Sequence, residues 1–195
     1  MRKVLAGLLL LAGIGVILYP HLSDLYWDYR TARDLEDFSS EGEGNEPAGV
    51  PTEARAEGSE GTRPVAVLEI ESIELELPVY RGTSDRLLER GAGLMEEKAF
   101  FGEEGTAAVT AHRSHTEGRL FHHLDRLEVG DQVVVKTREE AFTYQVVETE
   151  VYPRGDASYF QQEEGEERLL LITCHPLYHP SPPYRLVAEA ERAQR

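Results

Sequence analysis

Three residues stand out as able to do chemistry together: one thiol, one imidazole and one guanidinium, each at the mouth of a loop. Cys174 is the single cysteine of the 195-residue chain. It closes the run RLLLITCHP, in which Leu169 to Ile172 are uninterrupted apolar residues and Pro176 cannot continue a sheet ladder. A buried strand therefore delivers the thiol to the start of a loop, a common place for a reactive group. The simpler reading is a small buried side chain. His112 has the same placement at the end of Thr106–Ala111, within TAAVTAHRSHTEGRLFHHLDRLEVGD. An imidazole beside a thiol can supply or take the proton of an acyl transfer. Its plainer alternatives are a surface histidine of a His-rich loop, or an HxxH metal pair with His115 joined by Cys174 or His175. Arg185, in PPYRLVAEAER, lies eleven residues beyond Cys174 across a Pro-rich loop, where neighbouring strands could bring its guanidinium to an oxyanion. Alone it reads as an ordinary surface ion pair.

The elements that must position these groups are mainly strands. Ile73, Leu75, Leu77 and Val79 alternate with polar or turn residues, a period of two that marks a half-buried strand. Val65–Ile70, Thr106–Ala111, Gln132–Thr137, Ala141–Tyr152, Arg168–Cys174 and Tyr184–Glu191 are further expected strands. Short helices are expected at Ser84–Arg90, capped by Ser84, and at Leu120–Leu127, with Phe121 and Leu124 inward and His122 and His123 on the surface. This pattern predicts an all-β fold, a compact barrel or sandwich.

Ahead of that domain, Arg2 and Lys3 precede an uncharged run from Val4 to Tyr19, VLAGLLLLAGIGVILY. Sixteen helical residues span about 24 Å, slightly short of a hydrocarbon core, and Tyr26 and Trp27 suit the interface. An N-terminal transmembrane helix with the positive end cytoplasmic is expected, in preference to a cleaved signal peptide. From Asp34 to Arg63 there are nine acidic residues against two basic ones and almost no large apolar side chains, the composition of a flexible tether. The expected organisation is a membrane anchor at 1–22, an acidic flexible linker at 23–63 and a catalytic domain at 64–195. The formal net charge of −16, from 20 Lys and Arg against 36 Asp and Glu, argues against nucleic acid as a partner. One cysteine excludes an internal disulfide and a four-thiolate zinc site.

The ordered set of His, Cys and Arg resembles the sortases, membrane-anchored cysteine transpeptidases of mainly Gram-positive bacteria. TAAVTAHRS with the LF…L..L..GD run looks like the family's histidine segment. LLLITCHP looks like its TLxTC signature with Leu171 in place of a frequent Thr, and PPYRLVAEA looks like its arginine strand. LEIESIELELPVYRGTSDRLLERGAG matches more weakly the first strands and the loop leading to "G.G". The resemblance implies a closed eight-stranded β-barrel in which Cys174 attacks the Thr–Gly carbonyl of an LPXTG-like sorting signal. His112 would serve as general acid and base, and Arg185 would hold the oxyanion or substrate backbone. A thioester acyl-enzyme would then pass to an amine, such as a peptidoglycan precursor or a pilin lysine. CHPLY and PPYR look most like class D, while the AHR…LF segment has class C features. No lid motif is evident, Asp37-Phe38-Ser39 coming nearest, and no second span is expected after VAEAERAQR. No cofactor or metal is needed for the implied catalysis. Glu163, Glu164, Glu166 and Glu167 could suggest calcium, although a solvated acidic loop accounts for them. The implied location is the cell membrane, single-pass, with the catalytic domain extracytoplasmic. Competing readings are a pilin-polymerising enzyme, a thiol hydrolase or protease using the same Cys–His pair, and a non-catalytic anchored surface domain.

Overall fold

The computed structural model describes residues 2–41, 63–161 and 167–193. A long helix, α1 (Arg2–Glu41), precedes eight strands. These are β1 (Ala66–Ile70), β2 (Leu75–Arg81), β3 (Ala92–Leu94), β4 (Gly105–Thr110), β5 (Gln132–Lys136), β6 (Ala141–Pro153), β7 (Glu167–His175) and β8 (Tyr184–Arg192). They close into a barrel in the order β1-β2-β3-β4-β7-β8-β6-β5. The all-β closed barrel with few helices is thus present. Two pairings are parallel, β2 with β3 and β4 with β7; the other neighbours are antiparallel.

Side-chain alternation fills the barrel. Leu68, Ile70, Leu77, Val79, Val109, Val133, Val135, Tyr144, Leu169 and Leu171 form one interior cluster, closed by Phe121 and Leu124. Strand β7 is buried on both faces, which explains its unbroken apolar run: Leu169 and Leu171 point in, Leu170 and Ile172 out. Outside the wall, Ala108, Leu170, Ile172 and Val187 make a second cluster, covered by Met95, Tyr152, Tyr159 and Phe160.

Several expectations are corrected. The strand expected from Ile73 begins at Leu75, because residues 71–73 form a 3-10 turn and Glu74 takes a left-handed conformation with φ 53°. The helix expected at Leu120–Leu127 reduces to a 3-10 turn at Leu124–Arg126, since Leu120 has φ 48° and bridges to Arg113. Ser84 occupies the cap position of the short helix Asp85–Leu88 without a side-chain cap bond. Three-residue β3 carries no periodic signal, and its glycines explain it. A Cβ on Gly93 would come 2.3 Å from the Gly82 carbonyl, and one on Gly91 would come 2.3 Å from that of Pro78.

The linker expected at 23–63 is also corrected at its start, because residues 23–41 continue α1. Asp34 accepts two bonds from one Arg90 nitrogen, both 2.9 Å, and one from the Tyr80 hydroxyl at 2.6 Å. Phe38 is buried under the Arg138 guanidinium, and Arg119 lies over Trp27. These contacts offset the ordering entropy that composition alone leaves uncompensated. Residues 42–62 lie outside the described residues. Among the described residues no helix is long and apolar enough to cross a membrane. The side chains of residues 2–12, where the apolar run opens, are outside the description.

Candidate active site

The register of the barrel wall decides whether the thiol, imidazole and guanidinium belong together. In the parallel β4–β7 pair, Thr110 stands beside Ile172. Continuing two residues brings His112 level with Cys174, and contacts on either side hold that register. The buried Thr173 hydroxyl donates to the Ala111 carbonyl at 2.8 Å. One step further on, the Arg113 guanidinium donates to Nδ1 of His175, also at 2.8 Å. On the other flank Cys174 is the direct cross-strand partner of Arg185, and Arg185 in turn of Tyr152. His112, Cys174 and Arg185 therefore occupy one level across three adjacent segments of the barrel wall. Alternation puts all three on the outer face, continuing the rows of Ala108, Ile172 and Val187.

Exposure suits a reaction at the surface. Cys174 and Arg185 are half-buried and His112 is exposed. Arg185 donates to the Tyr184 carbonyl at 3.1 Å, and among the described residues no carboxylate pairs with it. Burial pushes the Tyr159 phenol above its ordinary range, while the nearby Arg185 cation pulls the other way. Arg185 thus faces both the thiol strand and the aromatic wall of the outer cluster.

That wall is fastened by a residue the sequence did not single out. Arg168 is buried at the far end of the same outward row as Cys174. It pairs with Glu189 at 2.9 Å and donates to the Tyr159 and Gln161 carbonyls at 3.2 and 2.9 Å. Two of its nitrogens also reach the Thr106 hydroxyl at 3.3 Å. The segment carrying Tyr159 and Phe160 is thereby pinned over the outer cluster.

The remaining histidines separate from the site. His122 is buried, not on the surface, because its Nδ1–H donates to the Ser114 carbonyl at 2.6 Å. His123 is nearly buried and its pKa is lowered, chiefly by desolvation. The His115 ring meets the Tyr178 ring in a tilted contact, centroids 5.0 Å apart. Among the described residues no three His, Cys, Asp or Glu side chains gather as a metal site. His175 has its pKa lowered by burial and by the Arg113 cation, against an opposing pull from Asp125. Asp37-Phe38-Ser39, the nearest approach to a lid motif, sits by Val67, Glu69 and Lys136, away from Cys174. Residues 162–166, with Glu163, Glu164 and Glu166, lie outside the described residues. Glu167 accepts a bond from the Tyr144 hydroxyl at 2.8 Å.

A closed eight-stranded barrel in this strand order is the sortase class of fold. The family model described as the sortase domain matches residues 68–193, and the chain belongs to the sortase family, whose members are cysteine transpeptidases. It is 32% identical over 127 residues to sortase D of Bacillus subtilis, covering 65% of this chain and 62% of that protein. The structure of a Clostridium perfringens sortase D5 transpeptidase superposes with a TM-score of 0.68 at 22% identity, covering 85% of this chain and 99% of that one. Streptococcus pneumoniae sortase C, whose structure bears on pilin substrate specificity, gives 0.62 at 28% identity over 79% and 78% of the two chains. The chain spans half to about three-fifths of the length of the curated relatives it matches.

Proposed function

We propose that this protein is a membrane-anchored transpeptidase that joins a sorting-signal protein to an amine. The observation that carries the reading is the single level shared by His112, Cys174 and Arg185, held between the Thr173–Ala111 and Arg113–His175 contacts. The Cys174 thiolate attacks the carbonyl of the scissile Thr–Gly bond in an LPXTG-like signal. Arg185 donates to the oxyanion as it forms. His112, protonated at that moment, gives its proton to the departing glycine amine. The thioester left on Cys174 keeps the acyl group activated. His112 then takes a proton from the incoming amine as that amine attacks and expels the thiolate. The proton balance closes over the cycle, and no metal or cofactor is required.

The apolar run from Val4 to Tyr19 supports α1 as the anchor, with Arg2 and Lys3 cytoplasmic and the barrel extracytoplasmic. The proposed acceptor is the amine of a peptidoglycan precursor, giving wall anchoring. A pilin lysine is the second reading, favoured by the histidine segment and by the likeness to a sortase C. The test is incubation of the protein with a quenched LPXTG-type peptide, with and without an added amine. Cleavage, amine-dependent product and a mass adduct on Cys174, all lost in Cys174→Ala, are expected. Cleavage that never incorporates amine would leave a thiol hydrolase instead. Cleavage-inactive protein with an unreactive Cys174 would leave a non-catalytic domain.

A further inference from the structure

The residue after each reactive group is also in contact with its counterpart. Arg113 follows His112, His175 follows Cys174, and the two side chains meet at 2.8 Å. His112, Arg113, His175 and Cys174 thus form a continuous link between the acid–base group and the nucleophile, independent of the sheet ladder. The Arg113 side chain is 3% exposed and has one other polar partner of its nitrogens, the Asp125 carboxylate at 2.7 Å, while its Nε has none among the described groups. A guanidinium only donates, so Nδ1 of His175 must carry a lone pair and the ring proton must sit on Nε2. The contact exists only while His175 is neutral and in that tautomer.

We propose that Arg113 and His175 are a positioning pair that clamps the Cys174 strand end to the His112 strand end, and that the clamp releases when His175 takes up a proton. The proposal rests on the assignment of Cys174 and His112 above. The groups that face His175 are Arg113, from the loop after β4, and Asp125, from the 3-10 turn Leu124–Arg126, with Tyr184 as its cross-strand partner on β8. Cys174 and Arg185 sit on the opposite face of the same strands. Protonation would remove the lone pair and set a second cation against Arg113, which would keep Asp125 alone. Burial and Arg113 both oppose that proton, so the clamp is closed at neutral pH.

The test compares His175→Phe, which removes the acceptor, with His175→Asn, whose amide oxygen can stand near the place of Nδ1. In the wild type, nitrogen-15 spectra should show His175 as the Nε2–H tautomer at pH 7.5. His175→Phe should lower kcat about tenfold with KM little changed, as expected for a small misplacement of reacting groups. His175→Asn should recover most of kcat and lose the acid limb that accompanies His175 protonation in the wild type. The rate of Cys174 alkylation, which needs no peptide substrate, should follow the same order across pH 5.5–8. An Nδ1–H tautomer, or a His175→Phe protein with wild-type kcat and pH profile, would overturn the clamp. Alkylation that tracks His175 in a protein that cleaves no sorting peptide would keep the clamp and defeat the proposed reaction.

Discussion

Two buried arginines serve opposite ends of the outer wall, and they are satisfied in different ways. Arg168 and Arg113 each pair with one carboxylate, Glu189 and Asp125. Arg168 finds its other acceptors in a hydroxyl and two backbone carbonyls, none of which titrates. Arg113 finds its other acceptor in an imidazole. A buried cation is kept by whatever accepts from it, and the acceptor's chemistry decides whether the arrangement depends on pH. The aromatic wall is thus fastened at all ordinary pH values. The junction beside the thiol is fastened conditionally.

The largest effect that would break this comparison is expected for Arg168→Met. It strands two carbonyls and a partly covered carboxylate, at a cost of about 3–5 kcal/mol by denaturant titration. A loosened wall should also raise KM for the proposed sorting peptide more than it lowers kcat. Arg113→Lys keeps a charge beside Asp125 but loses the planar fork, and a cost of about 1–3 kcal/mol is expected. Measured at two pH values, the pair separates: the Arg168→Met cost should be the same at pH 5.5 and 7.5, and the Arg113→Lys cost should shrink at 5.5. Equal behaviour would remove the distinction between them. Asp125→Asn should cost less than about 1 kcal/mol, because that carboxylate is 45% exposed and screened by water.

The smallest effect is in the pH dependence of stability. His175 and His123 both have folded pKa values below the unfolded value of about 6.5. The unfolded chain therefore binds more protons between the two values. Their stabilising contribution is present above about pH 6.5 and is lost as pH falls through the folded values. His175→Asn should flatten that slope in thermal melts from pH 7.5 to 5, and an unchanged slope would remove His175 as its source.

How much was legible follows from where the determinants lie. Stretches with clear alternation, such as Gln132–Lys136 and residues 141–146 of β6, announce themselves because one face is buried and the other wet. Cys174, His112 and Arg185 were visible as reactive types at strand ends. Their supports were not: Arg113 and His175, or Thr173 and Ala111, are 62 residues apart, and only the parallel β4–β7 register brings them together. The surface position expected for His122 fails because Leu120 adopts a left-handed backbone that interrupts the helical period. The docked part of α1 departs from the expected linker for a related reason. Acidic composition predicts solvation, and Asp34 and Phe38 find their partners on a barrel nearly fifty residues or more downstream.

The docking of Asp34 on Arg90 and Tyr80 bears on the reach that the proposed anchored arrangement would have. Fifteen residues separate Tyr19 from Asp34, and as unbroken helix they measure about 22 Å. In the proposed anchored arrangement, a barrel gripped at Asp34 would be held at that distance from the membrane surface. Severing that grip, for example with Asp34→Ala, removes the contacts that tie α1 to the barrel at this point.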